Sequence, residues 1–274
     1  MSSFEKVYVS ANNKPNAPDF DANFINELAR KLVESAPELK PICTAILVCE
    51  LLPSRKETIS LTRRKQASIS IGAHRADLVP HLLEGDIVRA KENKDEVHKH
   101  FEHLRSVVMV VWPFVGIPWC VPACLGMINV LERYNLLSVA EKQTLEGLGP
   151  HHQQVGEVLL KRTYAGVQNS EVQDMLREYF PDFSSLTWTV VFGYCLSETT
   201  ASGTFEERQT QLILSTAIAA SGATRQARSH LKASLGLGNS ARAVRAVWVA
   251  ASDLNIWNGV DLVPIDIDGI CESV

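Results

Sequence analysis

The sequence predicts an all-α protein, and three observations carry that expectation. Apolar residues recur at intervals of three and four along most of the chain, the spacing that lines one face of a helix. No long stretch alternates apolar and polar residues with the β-branching a strand would need. Glycine, proline and small capping residues punctuate the apolar runs where helices would start and stop.

Residues 1–20 carry acids early and lack the apolar run of a signal peptide, so they read as a flexible lead-in of a cytoplasmic protein. Ala22 to Ser35 is a helix, with Phe24, Ile25, Leu28, Leu32 and Val33 on the 3.6-residue period, and Ala36-Pro37 breaks it. Ile42 to Leu52 is an apolar helix closed by Pro53. Arg55 to Ile71 is a third, with Ile59, Arg63 and Gln66 along one side and Gly72 at its end. Ala76 to Arg89 and Asp95 to Trp112 follow. Ser106 to Leu131 holds 26 residues without a charge, longer than the roughly 20 a membrane-spanning helix needs. Pro113, Gly116, Pro118 and Pro122 interrupt it, however, which favours two buried helix ends joined by a turn.

The polar stretch 138–154 reads as a linker with some helix in it. Helices are then expected over Val155 to Tyr164, Ser170 to Phe180 and Ser184 to Leu196, with a loop from Thr199 to Gly203. The next stretch forms three helices. The first carries Leu212, Ser215, Thr216 and Ala219 as a narrow stripe and ends at Gly222. The second is Arg225 to Leu235. Gly236 and Gly238 break it, and Asn239-Ser240 offer caps for the third. Residues 260–274 read as an extended tail.

Composition narrows the function. With 27 basic and 31 acidic residues, a net charge of −4 and no dense basic tract, the chain is not a nucleic-acid binder. The hydrophobic content of 46% across 274 residues is that of a protein with a full core. Cys43, Cys49, Cys120, Cys124, Cys195 and Cys271 show no framework spacing and read as buried free thiols in a reducing compartment.

HLKASLGLG (His230 to Gly238) follows the apolar helix QLILSTAIAASG. Upstream lie GEVLLKRTYAG (Gly156 to Gly166) and LTWTVVFGYCLS (Leu186 to Ser197). In this order the segments resemble the carboxymuconolactone decarboxylase family, which shares its fold with the AhpD-like thiol peroxidases. HLKASLGLG matches loosely the family's His-(small/apolar)-Ala-Leu-x-x-Gly signature, and the resemblance covers roughly Gly156 to Gly259. The first half can be laid on the second, with His81 under His230 and Gly72 under Gly222, and WPFVGIPWCVPA (Trp112 to Ala123) resembles the family's ending. The expected organisation is thus two tandem AhpD-like helical repeats, 21–137 and 155–259.

The resemblance implies chemistry that the residues can be tested against. The peroxidase branch uses Cys-x-x-Cys ahead of its histidine. Counting back from His230 puts Ala223 and Gln226 at the cysteine positions and Gln211 at the glutamate position; from His81 the positions are His74, Asp77 and Thr62. With no thiolate there, thiol peroxidase activity is disfavoured. The decarboxylase branch needs a proton donor and a group that stabilises an enolate oxygen. His230 with Gln226 one turn earlier supplies these, with Gln211 on the facing helix placed to bond either, and His81 as an acid–base group of a second pocket. Arg225 or Arg228 would grip a substrate carboxylate, and His74 and Asp77 would bind substrate in the first repeat. His74, Asp77 and His81 at i, i+3 and i+7 are also a zinc or iron set if all lie on one helix; packing is the alternative reading, and no metal or cofactor is expected. His98, His100 and His103 read as a solvated face.

The expectation is a cofactor-independent decarboxylase, lyase or isomerase acting on a small cyclic or aromatic-derived acid in secondary metabolism, as a homo-oligomer off the membrane. Its rivals are an AhpD-like redox protein using an atypical thiol such as Cys120 or Cys124, and a non-catalytic oligomeric binding member.

Overall fold

Helix α1 (Ala22–Ser35) has the expected limits. The Asp21 carboxylate caps it, accepting from the Asn23 and Phe24 amides at 2.9 and 3.1 Å. The structure is a computed structural model that describes residues 4–46, 67–91, 93–140, 147–167 and 170–273. Among these, all regular structure is helical. Most of the helices expected over Ile42 to Leu52 and Arg55 to Ile71 lies outside the described residues; α2 (Cys43–Ile46) and α3 (Ser68–Gly72) are the parts within them. Then come α4 (Leu78–Arg89), α5 (Lys94–Val115) and α6 (Ile117–Arg133).

The uncharged stretch divides as the prolines dictate. Pro113 falls in the last turn of α5, Gly116 turns the chain with φ of 102°, and Pro118 sits at the start of α6. Among the described residues no helix is long and apolar enough to cross a membrane.

The second half holds α7 (Pro150–Tyr164), α8 (Ser170–Tyr179), α9 (Pro181–Leu186) and a π-helical segment, Thr187–Leu196. It continues with α10 (Ser197–Ala201), α11 (Glu207–Ala220), α12 (Thr224–Gly236), α13 (Ala241–Trp257) and α14 (Ile267–Glu272). Gly222 and Gly238 take the left-handed turns that end α11 and α12, with φ of 77° and 89°. Ser240 caps α13 through the Ala243 amide at 3.0 Å.

Helix α11 is the centre of the molecule. The expected narrow stripe understates it: every residue from Thr210 to Ala220 is buried. It packs against α3, α5, α12 and α13, and α1 covers the far side of α13. Gly72 is what lets α3 lie on α11, since a Cβ there would sit 2.3 Å from the Ala217 carbonyl oxygen. Inside α11, Ser215 and Thr216 return their hydroxyl protons to the carbonyls four residues back, at 2.6 Å each, so neither costs an unpaired polar group. Buried residues of 21–137 and 155–259 share one apolar core.

Several expectations need correction. Within the polar stretch 138–154, the expected helix begins at Pro150, whose fixed φ and missing N–H suit the first position of α7. The loop at Thr199 to Gly203 is largely helical, as α10. The tail is extended only as far as Asp266, where the Asp266 carboxylate accepts from the Gly269 amide at 2.9 Å and starts α14 against α12 and α13. The lead-in is packed: Glu5–Val9 lies on α6, and the Asn12 side-chain amide donates to the Pro118 carbonyl at 3.1 Å. The histidines of α5 are not a solvated face. His98 Nδ1 lies 2.8 Å from the Val139 carbonyl, and His100 Nδ1 lies 2.9 Å from the fully buried Asp86 carboxylate.

Candidate functional site

Three segments of the second half meet at His230. Helix α12 carries the imidazole inward, α11 faces it with Gln211, and the end of α7 brings Tyr164 across from the other side. His230 Nδ1 lies 3.1 Å from Gln211 Nε2, and Nε2 lies 2.9 Å from the Tyr164 hydroxyl. Gln211 Nε2 also donates to the His230 carbonyl at 3.2 Å. That second bond fixes which end of the amide faces the ring, because a flipped amide would set its oxygen against a carbonyl. Nδ1 is therefore the acceptor, and Nε2–H donates to the Tyr164 oxygen. Behind the ring, Ser215 Oγ lies 2.9 Å from the His230 carbonyl and 2.8 Å from Ser234 Oγ. The edge of Phe114 closes another side at 5.4 Å between centroids.

This enclosure sets the protonation states. His230 is 4% exposed, and burial pushes its pKa from 6.5 down to about 4. Burial pushes the Tyr164 phenol up. Near neutral pH the pair is a neutral imidazole against a neutral phenol. The unfolded chain binds a proton at His230 between pH 6.5 and about 4 while the folded chain does not. Stability from this group is thus complete above pH 6.5 and is lost as pH falls toward 4. The expected loss is on the order of 3 kcal/mol. Urea denaturation across that window would show it, and the slope should flatten in His230→Gln. An unchanged slope in the variant would assign the acid sensitivity to other groups.

The other residues singled out from sequence are placed differently. Gln226, Arg225 and Arg228 on α12 are exposed. Gln226 does not join the imidazole, because Gln211 and Tyr164 already occupy both ring nitrogens. His74 lies in the turn before α4 with φ of 59°, its ring stacked on Trp119 at 4.0 Å. Asp77 is buried and held by Arg75 through two hydrogen bonds of 2.9 Å. His81, in the first turn of α4, stacks on Phe20 at 4.5 Å, and burial lowers its pKa. The three do not share one helix face as a ligand set needs, and the Asp77 carboxylate is already taken by Arg75.

Cys120, Cys124 and Cys195 sit poorly for redox work, and Cys49 lies outside the described residues. Cys120 is buried, which raises its pKa to about 12, while Cys124 on the next turn of α6 is exposed rather than in the core. Burial raises Cys195 to about 11. A protonated thiol is a weak nucleophile.

Two features were missed in the sequence. Tyr164 lies within GEVLLKRTYAG but carries no signal that it reaches His230. His151 and His152, inside the presumed linker, open a cleft of about 530 Å³ between α7, α10 and the start of α11.

The fold and this cluster define an all-helical protein with a buried histidine–tyrosine–glutamine network at the junction of three helices. No family model matches the sequence. No curated protein and no solved structure matches it either.

Proposed function

We infer that the protein is a carboxymuconolactone decarboxylase-like enzyme using His230-centred acid–base chemistry, without a cofactor, on a small cyclic or aromatic-derived acid. One observation carries this reading. The three segments that resemble the family converge so that His230 faces Gln211 at 3.1 Å and, from 66 residues away, Tyr164 at 2.9 Å. Tyr164 is half-buried, with its hydroxyl turned to the buried His230. In this reading the phenol delivers a proton to the carbon that has lost CO2, and His230 Nε2–H steadies the phenolate oxygen left behind. Gln211 holds the imidazole in the one tautomer that can do so.

The non-catalytic reading rests on a specific observation too. His230 is 4% exposed and bonded at both nitrogens, as a satisfied core histidine would be. The two readings separate on Tyr164→Phe, which keeps the ring packing and removes only the hydroxyl. Purified protein would be screened for turnover of small carboxylated lactones and phenolic acids. The catalytic reading expects kcat to fall about 100-fold in Tyr164→Phe with the fold retained. No turnover on any member of the screen, or a Tyr164→Phe variant as active as the parent, would favour the structural reading.

A further inference from the structure

We propose that His151, His152 and Glu198 form a binding site for a divalent transition-metal ion at the polar end of the cleft. The site is independent of the His230 reading. One ligand atom from each residue can be chosen so that all lie within 4.8 Å of one another, and no other such group of three or more occurs among the described residues. His152 is 2% exposed, with Nε2 lying 3.6 Å from Glu198 Oε1. The two imidazoles lie side by side, with centroids 3.8 Å apart.

The backbone holds the His152 ring in place. His152 Nδ1 lies 2.9 Å from the Gly149 amide nitrogen and 3.2 Å from the Gly149 carbonyl oxygen. The Gly149 amide donates to Nδ1, so the ring caps α7 and Nε2–H faces Glu198. A metal at Nε2 takes the other tautomer, with Nδ1–H turned to the Gly149 carbonyl, so binding trades the amide cap for the backbone support that ligating histidines ordinarily have. Glu198 is tied to His152 through the backbone as well. Gly193, five residues before it, packs so closely that a Cβ would lie 1.9 Å from the His152 carbonyl oxygen. The metal-binding side chains therefore hang from two segments locked together.

The start of α7 opposes a cation, because its amides give that end a partial positive charge. That penalty is small beside coordination by two imidazoles and a carboxylate, and Glu198 offsets it. Two nitrogens and one carboxylate suit zinc, cobalt or iron(II) rather than magnesium or calcium. Only three protein ligands converge, so the remaining positions open into the cleft. There Val155, Val158 and Leu159 form an apolar wall, and the Arg162–Glu207 ion pair closes the far end.

The test is titration of the full-length, chelator-treated protein with Co2+, followed by visible absorption, and with Zn2+, followed by calorimetry. One equivalent should bind, with the visible bands of nitrogen and oxygen coordination. His151→Ala and Glu198→Gln alter exposed side chains and should leave the melting temperature in chelator unchanged. Each should weaken binding at least about tenfold. Absence of stoichiometric binding would overturn the proposal. So would parent-like affinity in both variants, or a thiolate charge-transfer band, either of which puts the ion elsewhere.

Discussion

Gly156→Ala is expected to destabilise the protein by about 3 kcal/mol or more, at the upper end of what overpacking costs. The usual effect of this change has the opposite sign: alanine in a helix interior gains roughly 0.5–1 kcal/mol over glycine. The reversal comes from backbone contact. A Cβ on Gly156 would lie 1.8 Å from the Trp188 carbonyl oxygen and 2.7 Å from the Gly193 nitrogen. Neither is the far end of a flexible side chain. The α7 helix would have to move away from the Thr187–Leu196 segment along its length. Gly193→Ala meets the same obstacle from the other side, at the His152 carbonyl. The control is Gly236→Ala in α12, where the nearest atom lies 3.8 Å away and the change should be neutral or stabilising. Chemical denaturation of the three variants decides the matter. Equal stability of Gly156→Ala and Gly236→Ala would mean that α7 and the π-helical segment are not packed this closely.

These contacts also show what was legible in the sequence. Local signals read well. The limits of α1 follow from its 3.6-residue period and the Asp21 cap, and the α5–α6 turn follows from Pro113, Gly116 and Pro118. Gln211 facing His230 was legible because two helices joined by a short glycine turn must be antiparallel neighbours. Relations between distant segments were not. Tyr164 reaches His230 across 66 residues, and nothing in either segment sets that register. Gln226 and His230 are one turn apart, yet the buried side of α12 runs through Ala227, His230, Leu231 and Ser234. Gln226 falls just off its edge. His151 and His152 were passed over because they lie in the polar stretch 138–154, where Pro150 at the first helical position begins α7. His74, Asp77 and His81 looked like a ligand set only while one helix was assumed to hold all three; the left-handed His74 lies before that helix.

The same turn carries the second large effect, through Arg75, which the sequence did not single out. Asp77→Ala should cost about 3–5 kcal/mol, the range for removing one partner of a buried ion pair. Arg75 is 1% exposed. Its Nε and Nη2 donate to the two Asp77 carboxylate oxygens at 2.9 Å each. Its Nη2 also donates to the Pro18 carbonyl at 2.8 Å, and Nη1 donates to Asn258 Oδ1 at 3.1 Å. Asn258 in turn donates to the Ala73 carbonyl at 3.2 Å. The guanidinium lies over the Trp257 ring at 4.9 Å. One side chain thus ties the N-terminal lead-in and the turn after α3 to the end of α13. Without Asp77 the charge is left with carbonyl acceptors and no anion. Asp77→Asn keeps the shape and one acceptor, so it should cost less than Asp77→Ala. The double variant Arg75→Met with Asp77→Ala should regain part of the loss, because it removes the stranded charge along with its partner. Urea denaturation gives the energies, and Trp257 fluorescence reports the local change directly. A loss below about 1 kcal/mol in Asp77→Ala, the value of a surface pair, would mean that water reaches Arg75 and that the tie between the lead-in and α13 is not closed.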